Sequence, residues 1–328
     1  MEFNNSSTNQ QLCMTEVKYA VFCVQVILGV TGILGNALVC VTIAKAKFMH
    51  NVTNFLIAHM AVADILVCVS LVIFQERYVE DASNDDAKQE MFCKFFHGKR
   101  LMWLSCDLSL LSMVCVTVER YLGIVHPLKY PRLVTKTRVG IMIAVVWCIA
   151  IIAKIPHLTS QAFNSDTKQC FTSGISDTSI ALVSVVSLLE FYVPAAIILW
   201  CYRKILISLR KSAENQQREN NHAPANELLT ACRRVIKVLL TVILLYFVIW
   251  VPVYLFFMVG LFKPNLSLVA HNILIALQPT IASVNSVVNP FIYAFKYKEF
   301  QRGLRFHVFP FCRRRRRVAA AVSIETIR

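Results

Sequence analysis

Residues Leu101–Pro127 limit what this chain can fold into more than any other stretch. Leu101–Val118 is apolar or small except for Asp107, and a helix of that length crosses the roughly 30 Å hydrocarbon core of a bilayer. The run closes on Glu119-Arg120-Tyr121. A charge at the edge of such a span needs water, a partner or a task. An acid and a base side by side there therefore read as a working pair.

The rest of the chain shares this character. Hydrophobic residues make up 56% of the 328, charged ones only 16%, and the mean hydropathy is +0.56. One soluble domain of this length is not that apolar, so the class is a polytopic membrane protein. Seven apolar runs follow in order: Ala20–Ala44, Phe55–Phe74, Leu101–Val118, Val139–Pro156, Ile180–Ile207, Val235–Phe262 and Leu268–Phe295. The net charge of +15 could suggest nucleic acid, but the charges sit between these runs rather than on one patch. Glu2 and Glu16 precede the first run while Lys45, Lys47 and His50 follow it, which puts the N-terminus outside. With that topology 25 of the 34 Lys and Arg fall on the cytoplasmic side, the expected positive-inside bias.

Met1–Glu16 lacks a basic n-region and a short apolar core, so it is not read as a cleavable signal peptide. It carries glycosylation acceptors at Asn4 and Asn5. Asn51-Val52-Thr53 matches the same pattern but lies inside, and Asn265-Leu266-Ser267 lies outside yet close to the membrane. The expected organisation is an extracellular tail (1–19), a seven-span domain (20–296), and an amphipathic helix with a basic tail (297–328). Lys211–Glu227 reads as a solvated loop without periodicity. In Tyr297–Phe309 the apolar Phe300, Leu304 and Val308 alternate with basic residues, as in a helix lying on the membrane. Cys312 and Arg313–Arg317 then offer an acylable thiol beside a polybasic run, a two-signal anchor for anionic lipid.

Short motifs recur one per span. Gly35-Asn36 stands in the first, Ala58-His59-Met60-Ala61-Val62-Ala63-Asp64 in the second, and Glu119-Arg120-Tyr121 ends the third. Trp147 lies in the fourth, Pro194 and Tyr202 in the fifth, Trp250-Val251-Pro252 in the sixth, and Asn289-Pro290-Phe291-Ile292-Tyr293 in the seventh. Each alone could be an ordinary kink or packing residue. In this order and placement, across roughly residues 20–305, they resemble the rhodopsin-like G-protein-coupled receptors. The fold class that follows is an all-α membrane protein, a seven-transmembrane helix bundle with a short amphipathic eighth helix.

The resemblance implies roles. Glu119, Arg120, Tyr121, Tyr202, Trp250, Pro252, Asn289, Pro290 and Tyr293 would carry activation and G-protein coupling. Proline removes a backbone hydrogen bond and bends a helix, so Pro252 and Pro290 make the sixth and seventh spans capable of hinging. Asn36, Asp64, Ser109, Asn285, Ser286 and Asn289 match a polar cluster that binds sodium or water. A carboxylate at that depth needs a cation, a proton or hydrogen bonds, and the sequence leaves open which of these Asp64 has. Cys93 and Cys170 match a pair bridged in the family, although Cys93 stands slightly further from Arg120 than usual, which leaves the register of Lys94–Met102 open. Cys13, also outside, has no evident partner. Cys232 stands where some members carry the acid that locks to Arg120.

The ligand is less legible. The seventh span contains no Lys, so retinal is not expected as a cofactor. Amine receptors of the family anchor the ligand on an Asp; here that position is Met102, which disfavours a monoamine. Asp107, Lys154 and Glu190 interrupt apolar stretches of the third, fourth and fifth spans, and the resemblance, in which those spans are neighbours, implies that they can face one another. They read either as a closed structural network or as a ligand anchor, with Met102, Trp250 and Gln278 also assigned to the pocket. The acids Glu76, Glu80, Asp81, Asp85, Asp86 and Glu90 between the second and third spans favour a basic peptide by attraction. The expected partners are thus an extracellular ligand, a heterotrimeric G protein and membrane lipids, with no nucleic acid and no enzymatic activity. The alternatives are a chemosensory receptor for a small molecule and, further off, a seven-helix transporter, for which no internal repeat is evident.

Overall fold

The computed structural model describes residues 2–73, 85–159, 161–172, 177–218, 240–241, 243–259 and 268–308. Its elements are α1 (Glu2–Lys45), α2 (Val52–Ile73), α3 (Asp86–Phe95), α4 (Arg100–Val125), α5 (Tyr130–Leu133), α6 (Lys136–Thr159), β1 (Gln161–Asn164), β2 (Gln169–Thr172), α7 (Asp177–Arg218), α8 (Ile243–Val259), α9 (Leu268–Lys296) and α10 (Lys298–Gly303). A short π-helical turn, Leu304–Val308, follows. Helices α1, α2, α4, α6, α7, α8 and α9 fall one in each of the seven apolar runs. Helix α4 is the axis of the bundle, packing against α2, α6, α7 and α9.

The bundle is polar inside and apolar outside, as lipid requires. Ile27, Leu34, Ile152 and Val248 are 64–69% exposed, whereas Asn36, Asp64, Ser109, Ser283, Ser286 and Asn289 are buried. A polar side chain in hydrocarbon finds partners only by turning inward. Close approach of α1 to α2 depends on small residues: a Cβ on Gly32 would lie 2.3 Å from Cys68 Sγ. Such pairs let van der Waals packing replace the missing hydrophobic drive between membrane helices.

Several boundaries differ from the sequence reading. Helix α1 begins at Glu2, so the backbone of the N-terminal tail continues the first span as helix. Helix α7 runs on to Arg218, so Lys211–Arg218 is helical rather than irregular. The region Lys94–Met102 holds a break. Helix α3 ends at Phe95, a 3₁₀ turn spans His97–Lys99, and both Gly98 (φ 66°) and Lys99 (φ 56°) are left-handed. Glycine adopts this at no steric cost, while a lysine there is strained by about 1 kcal/mol. Lys99 is held by a 2.8 Å hydrogen bond from Nζ to Gln25 Oε1 on α1. This break lies between Cys93 and Arg120, in the stretch whose register the sequence left open.

One β-hairpin stands outside the bundle. Strands β1 and β2 pair antiparallel with Phe163 opposite Cys170, and the backbone N–H groups of Asp166 and Thr167 donate to Asn164 Oδ1 in the turn. The Cys93–Cys170 disulfide ties β2 to α3, with Cα atoms 5.5 Å apart. At the opposite end α10 folds back under the bundle. Phe300 is buried, Arg302 lies over the Phe48 ring at 5.0 Å, and Gln301 Nε2 donates to the carbonyls of Ala294 and Phe295 at the end of α9. Cys232, Asn265, Cys312 and Arg313–Arg317 lie outside the described residues, as do the side chains of Asn4, Asn5 and Cys13.

Candidate functional site

Chemistry-bearing residues gather at three depths along α4. At the end remote from the disulfide, Glu119 is 3% exposed and Arg120 26%, with Arg120 Nε and Glu119 Oε2 2.9 Å apart. The contact is an ion pair, not aligned as a hydrogen bond. The other carboxylate oxygen accepts two, from Thr53 Oγ1 on α2 (2.9 Å) and from the Tyr130 hydroxyl on α5. Burial, with Glu119 as acceptor, pushes the Tyr130 phenol up to about 12, so it stays a donor at any physiological pH. Tyr121 turns away: its hydroxyl meets His126 Nε2 at 3.0 Å and its ring packs on Trp200 at 5.1 Å. Tyr202 and Tyr293 are buried nearby. Lys296 Nζ reaches across to Thr241 Oγ1 at 2.8 Å, joining α9 to the chain entering α8.

Midway, Asp64 has no exposed surface. Ser109 Oγ donates to its Oδ1 at 2.7 Å and Asn289 Nδ2 to its Oδ2 at 2.9 Å. Asn36 Nδ2 donates to the carbonyls of Gly32 and Ser286, leaving its Oδ1 buried without a hydrogen-bond partner among the described residues. Asn285 and Ser286 are buried in the same layer. Beside it, Trp147 Nε1 donates to His59 Nε2 (3.1 Å) and His59 Nδ1 meets Ser112 Oγ (2.7 Å). The indole donor makes Nε2 the acceptor, so this histidine is the neutral Nδ1–H tautomer.

Towards the disulfide, Asp107, Lys154 and Glu190 come together. Lys154 Nζ lies 2.5 Å from Asp107 Oδ2 and 2.8 Å from Glu190 Oε1, each side chain 12–14% exposed. The three line a cavity of about 250 Å³ together with Trp250, Gln278, Trp103, Tyr254, Arg100 and His157. Trp250 forms its floor: its ring stands 6.3 Å from Trp103, 5.7 Å from Tyr246 and 5.9 Å from Tyr254. Trp250 Nε1 and the Tyr246 hydroxyl are buried with no hydrogen-bond partner among the described residues. Pro252 lies within α8 half a turn beyond Trp250, and Pro290 within α9.

Of the residues assigned to the pocket, Met102 is the exception. It is fully buried and does not line the cavity; Trp103 does. Adjacent helical residues point about 100° apart, and the face turned to the cavity is Arg100, Trp103 and Asp107 at spacings of three and four. Thr53, Tyr130, Arg100, Trp103 and His157 are site residues that the sequence reading did not single out, and His59 stood there only within the second-span motif. Only Arg100 and Trp103 carried a local signal, that three-and-four spacing from Asp107. The acids of the α2–α3 connection that are described are already paired: Asp85 caps α3 and contacts Lys88, Glu90 contacts Lys94, and Asp86 contacts Lys168. A hydrogen bond from Ser165, and then Lys168, holds the Asp86 carboxyl below its ordinary range. Glu76, Glu80 and Asp81 lie outside the described residues.

Residues 35–293 match the family model described as 7 transmembrane receptor (rhodopsin family). The chain is 29% identical over 293 residues to neuropeptide Y receptor type 6 of Mus musculus, covering 84% of this chain and 76% of that protein. It is 26% identical over 305 residues to the histamine H2 receptor of Homo sapiens, covering 92% and 82%. Among solved structures, squid rhodopsin superposes with a TM-score of 0.69 at 20% identity, over 90% of this chain and 86% of that one. That last likeness shows the fold.

Proposed function

Since this chain belongs to the rhodopsin family of seven-transmembrane receptors, and is therefore a G-protein-coupled receptor in the membrane rather than an enzyme, we propose a ligand class and a route for its signal. The ligand is an extracellular peptide that brings a cationic group into the cavity beside Asp107, Lys154 and Glu190. The observation that carries this reading is one lysine shared by two carboxylates in a cavity floored by Trp250. Two acids around one base leave a negative charge or a bound proton over, and an incoming cation relieves either. Relatives named for neuropeptide Y and for histamine support a peptide and a cationic ligand respectively.

The orientation that goes with this places the N-terminus and the Cys93–Cys170 end outside. The distribution of Lys and Arg supports it, and a disulfide suits an oxidising exterior. A ligand that displaces Trp250 bends α8 at Pro252, which moves the far half of the sixth span outward. Arg120 then leaves Glu119 and meets the G protein. Asp64, with Asn36 Oδ1 turned into the same buried layer, has the oxygen donors that a sodium ion takes, and a resting receptor would be steadied by it. Replacing sodium by choline in a thermal unfolding assay tests that ion.

The test of the main reading is nucleotide exchange on added heterotrimeric G protein under a library of basic peptides and small amines. A peptide hit whose potency drops in Glu190→Gln, with expression unchanged, supports it. Activation by small amines alone returns the chemosensory reading. Loss of expression and thermal stability in Glu190→Gln, with potency intact, makes the three charges a structural network.

A further inference from the structure

Resting on the cationic-ligand reading just given, we infer that the same cavity also binds a carboxylate at its mouth, through Arg100, so that the ligand's recognised end is a basic residue with a free C-terminal carboxyl group.

Arg100 begins α4, immediately after the left-handed turn at Gly98–Lys99, and it lines the cavity. Every other charged side chain of the lining has a partner. Lys154 has two carboxylates, and each carboxylate has Lys154. Arg100 has no acid within ion-pair distance among the described residues, and its Nε is buried with no hydrogen-bond partner among them. A guanidinium presents five donors in a rigid fork suited to a carboxylate. Leaving a buried N–H of a charged group unmade is costly. Gly98 keeps the approach open, since even an added Cβ there would come no closer than 3.9 Å to the guanidinium.

The geometry sets the spacing. Arg100 and Asp107 are seven residues apart on one face of α4, so about 10 Å of helix axis separates them. The floor of the cavity has one acid in excess and the mouth one base in excess. With both, the lining is neutral: Arg100 and Lys154 balance Asp107 and Glu190. A simple cation would leave the Arg100 charge facing it uncompensated in a site poorly reached by water. A ligand with its cation at the floor and its anion at the mouth meets both excesses and adds no net charge. An arginine or lysine side chain, with a hydrogen bond at each end, fits that span. A peptide ending in such a residue leaves the mouth by its own backbone, whereas a free basic amino acid carries the same two groups.

The experiment uses the full-length receptor in detergent and thermal unfolding as readout, with four probes at millimolar concentration: L-arginine, agmatine, Ala-Ala-Arg as the free acid, and Ala-Ala-Arg amide. The acids should stabilise the receptor with an affinity about tenfold or more above their carboxylate-free counterparts, the effect of a charge-assisted fork. In Arg100→Gln that difference should vanish while agmatine binding stays, and in Arg100→Lys it should partly return. Stabilisation by Ala-Ala-Arg above L-arginine identifies a peptide end, and the reverse order a free amino acid. Equal binding of the acids and of agmatine overturns the carboxylate site and leaves the cationic reading standing. No stabilisation by any probe removes both. An acid preference that survives in Arg100→Gln places the anion elsewhere and overturns the assignment.

Discussion

The two ends of α4 each hold a buried acid–base cluster, and they are built on opposite principles. Around Arg120 one acid meets one base, and the remaining valence of Glu119 is met by two neutral hydroxyls, Thr53 and Tyr130. Around Lys154 one base is shared by two acids, with the lone Arg100 two turns away. The first cluster is balanced by its own residues, as the proposed release of Arg120 from Glu119 requires of a resting state. The second is balanced only over the whole cavity, which is a property of a site awaiting something charged. Trp250 and Pro252 both lie on α8, so on the proposed route an event at one end would reach the other through a hinge rather than through a chain of charges.

The largest expected effect comes from removing the base of the balanced end. Arg120→Ala should abolish nucleotide exchange on added G protein while surface expression, read by antibody labelling, stays near the parent. Full exchange by that variant would remove Arg120 from the coupling role. At the other end the base matters for folding. Lys154→Met leaves two carboxylates facing each other, and should lower stability by about 3–5 kcal/mol, the usual effect of breaking a buried pair. Thermal unfolding in detergent checks it, and an unchanged midpoint would mean that the acids are not held by Lys154.

A gentler change separates function from folding there. Asp107→Asn keeps shape, returns the local charge to neutrality, and should weaken a cationic agonist about tenfold while the unfolding midpoint moves little. A midpoint that falls as far as in Lys154→Met would make the cavity cluster as structural as the Arg120 end. The smallest effect is expected at the Arg120 end: Tyr130→Phe removes one of two hydroxyl donors to Glu119, about 1.5–3 kcal/mol of charge-assisted hydrogen bonding before relaxation. Basal exchange should rise severalfold without ligand. Unchanged basal exchange would leave the hold on Glu119 to Thr53 and Arg120 alone.

The bundle itself was legible because a membrane leaves few choices. A run such as Phe55–Phe74 must satisfy its backbone internally and so is helix, and a polar residue within it, Asp64, must face inward. The meeting of Asp107, Lys154 and Glu190 was legible once the family resemblance made their spans neighbours, because lone charges there have nowhere else to go. Helix ends were not. Nothing local marks where α7 stops once it leaves the hydrocarbon, and Lys211–Arg218 continues it although its sequence shows no apolar period. Glu119's second and third partners were equally hidden, because Thr53 lies 66 residues earlier on α2 and Tyr130, 11 residues on, meets it only through the fold of the turn into α5.

What the amino-acid order determined by itself is therefore the class: seven helices, their polar interior, and the family to which the spaced motifs belong. The helices and their polar interior follow from composition and period, which act within a few turns of chain, and the family from the resemblance of the motifs in their order. What only the tertiary structure decided is the register at the disulfide end. The left-handed pair Gly98–Lys99 breaks the chain before α4, and packing turns the face that carries Arg100, Trp103 and Asp107, and not Met102, into the cavity. One residue of slip there turns the face by about 100°. At that break Lys99 reaches Gln25, 74 residues earlier in the chain, a contact that exists only once the helices have packed.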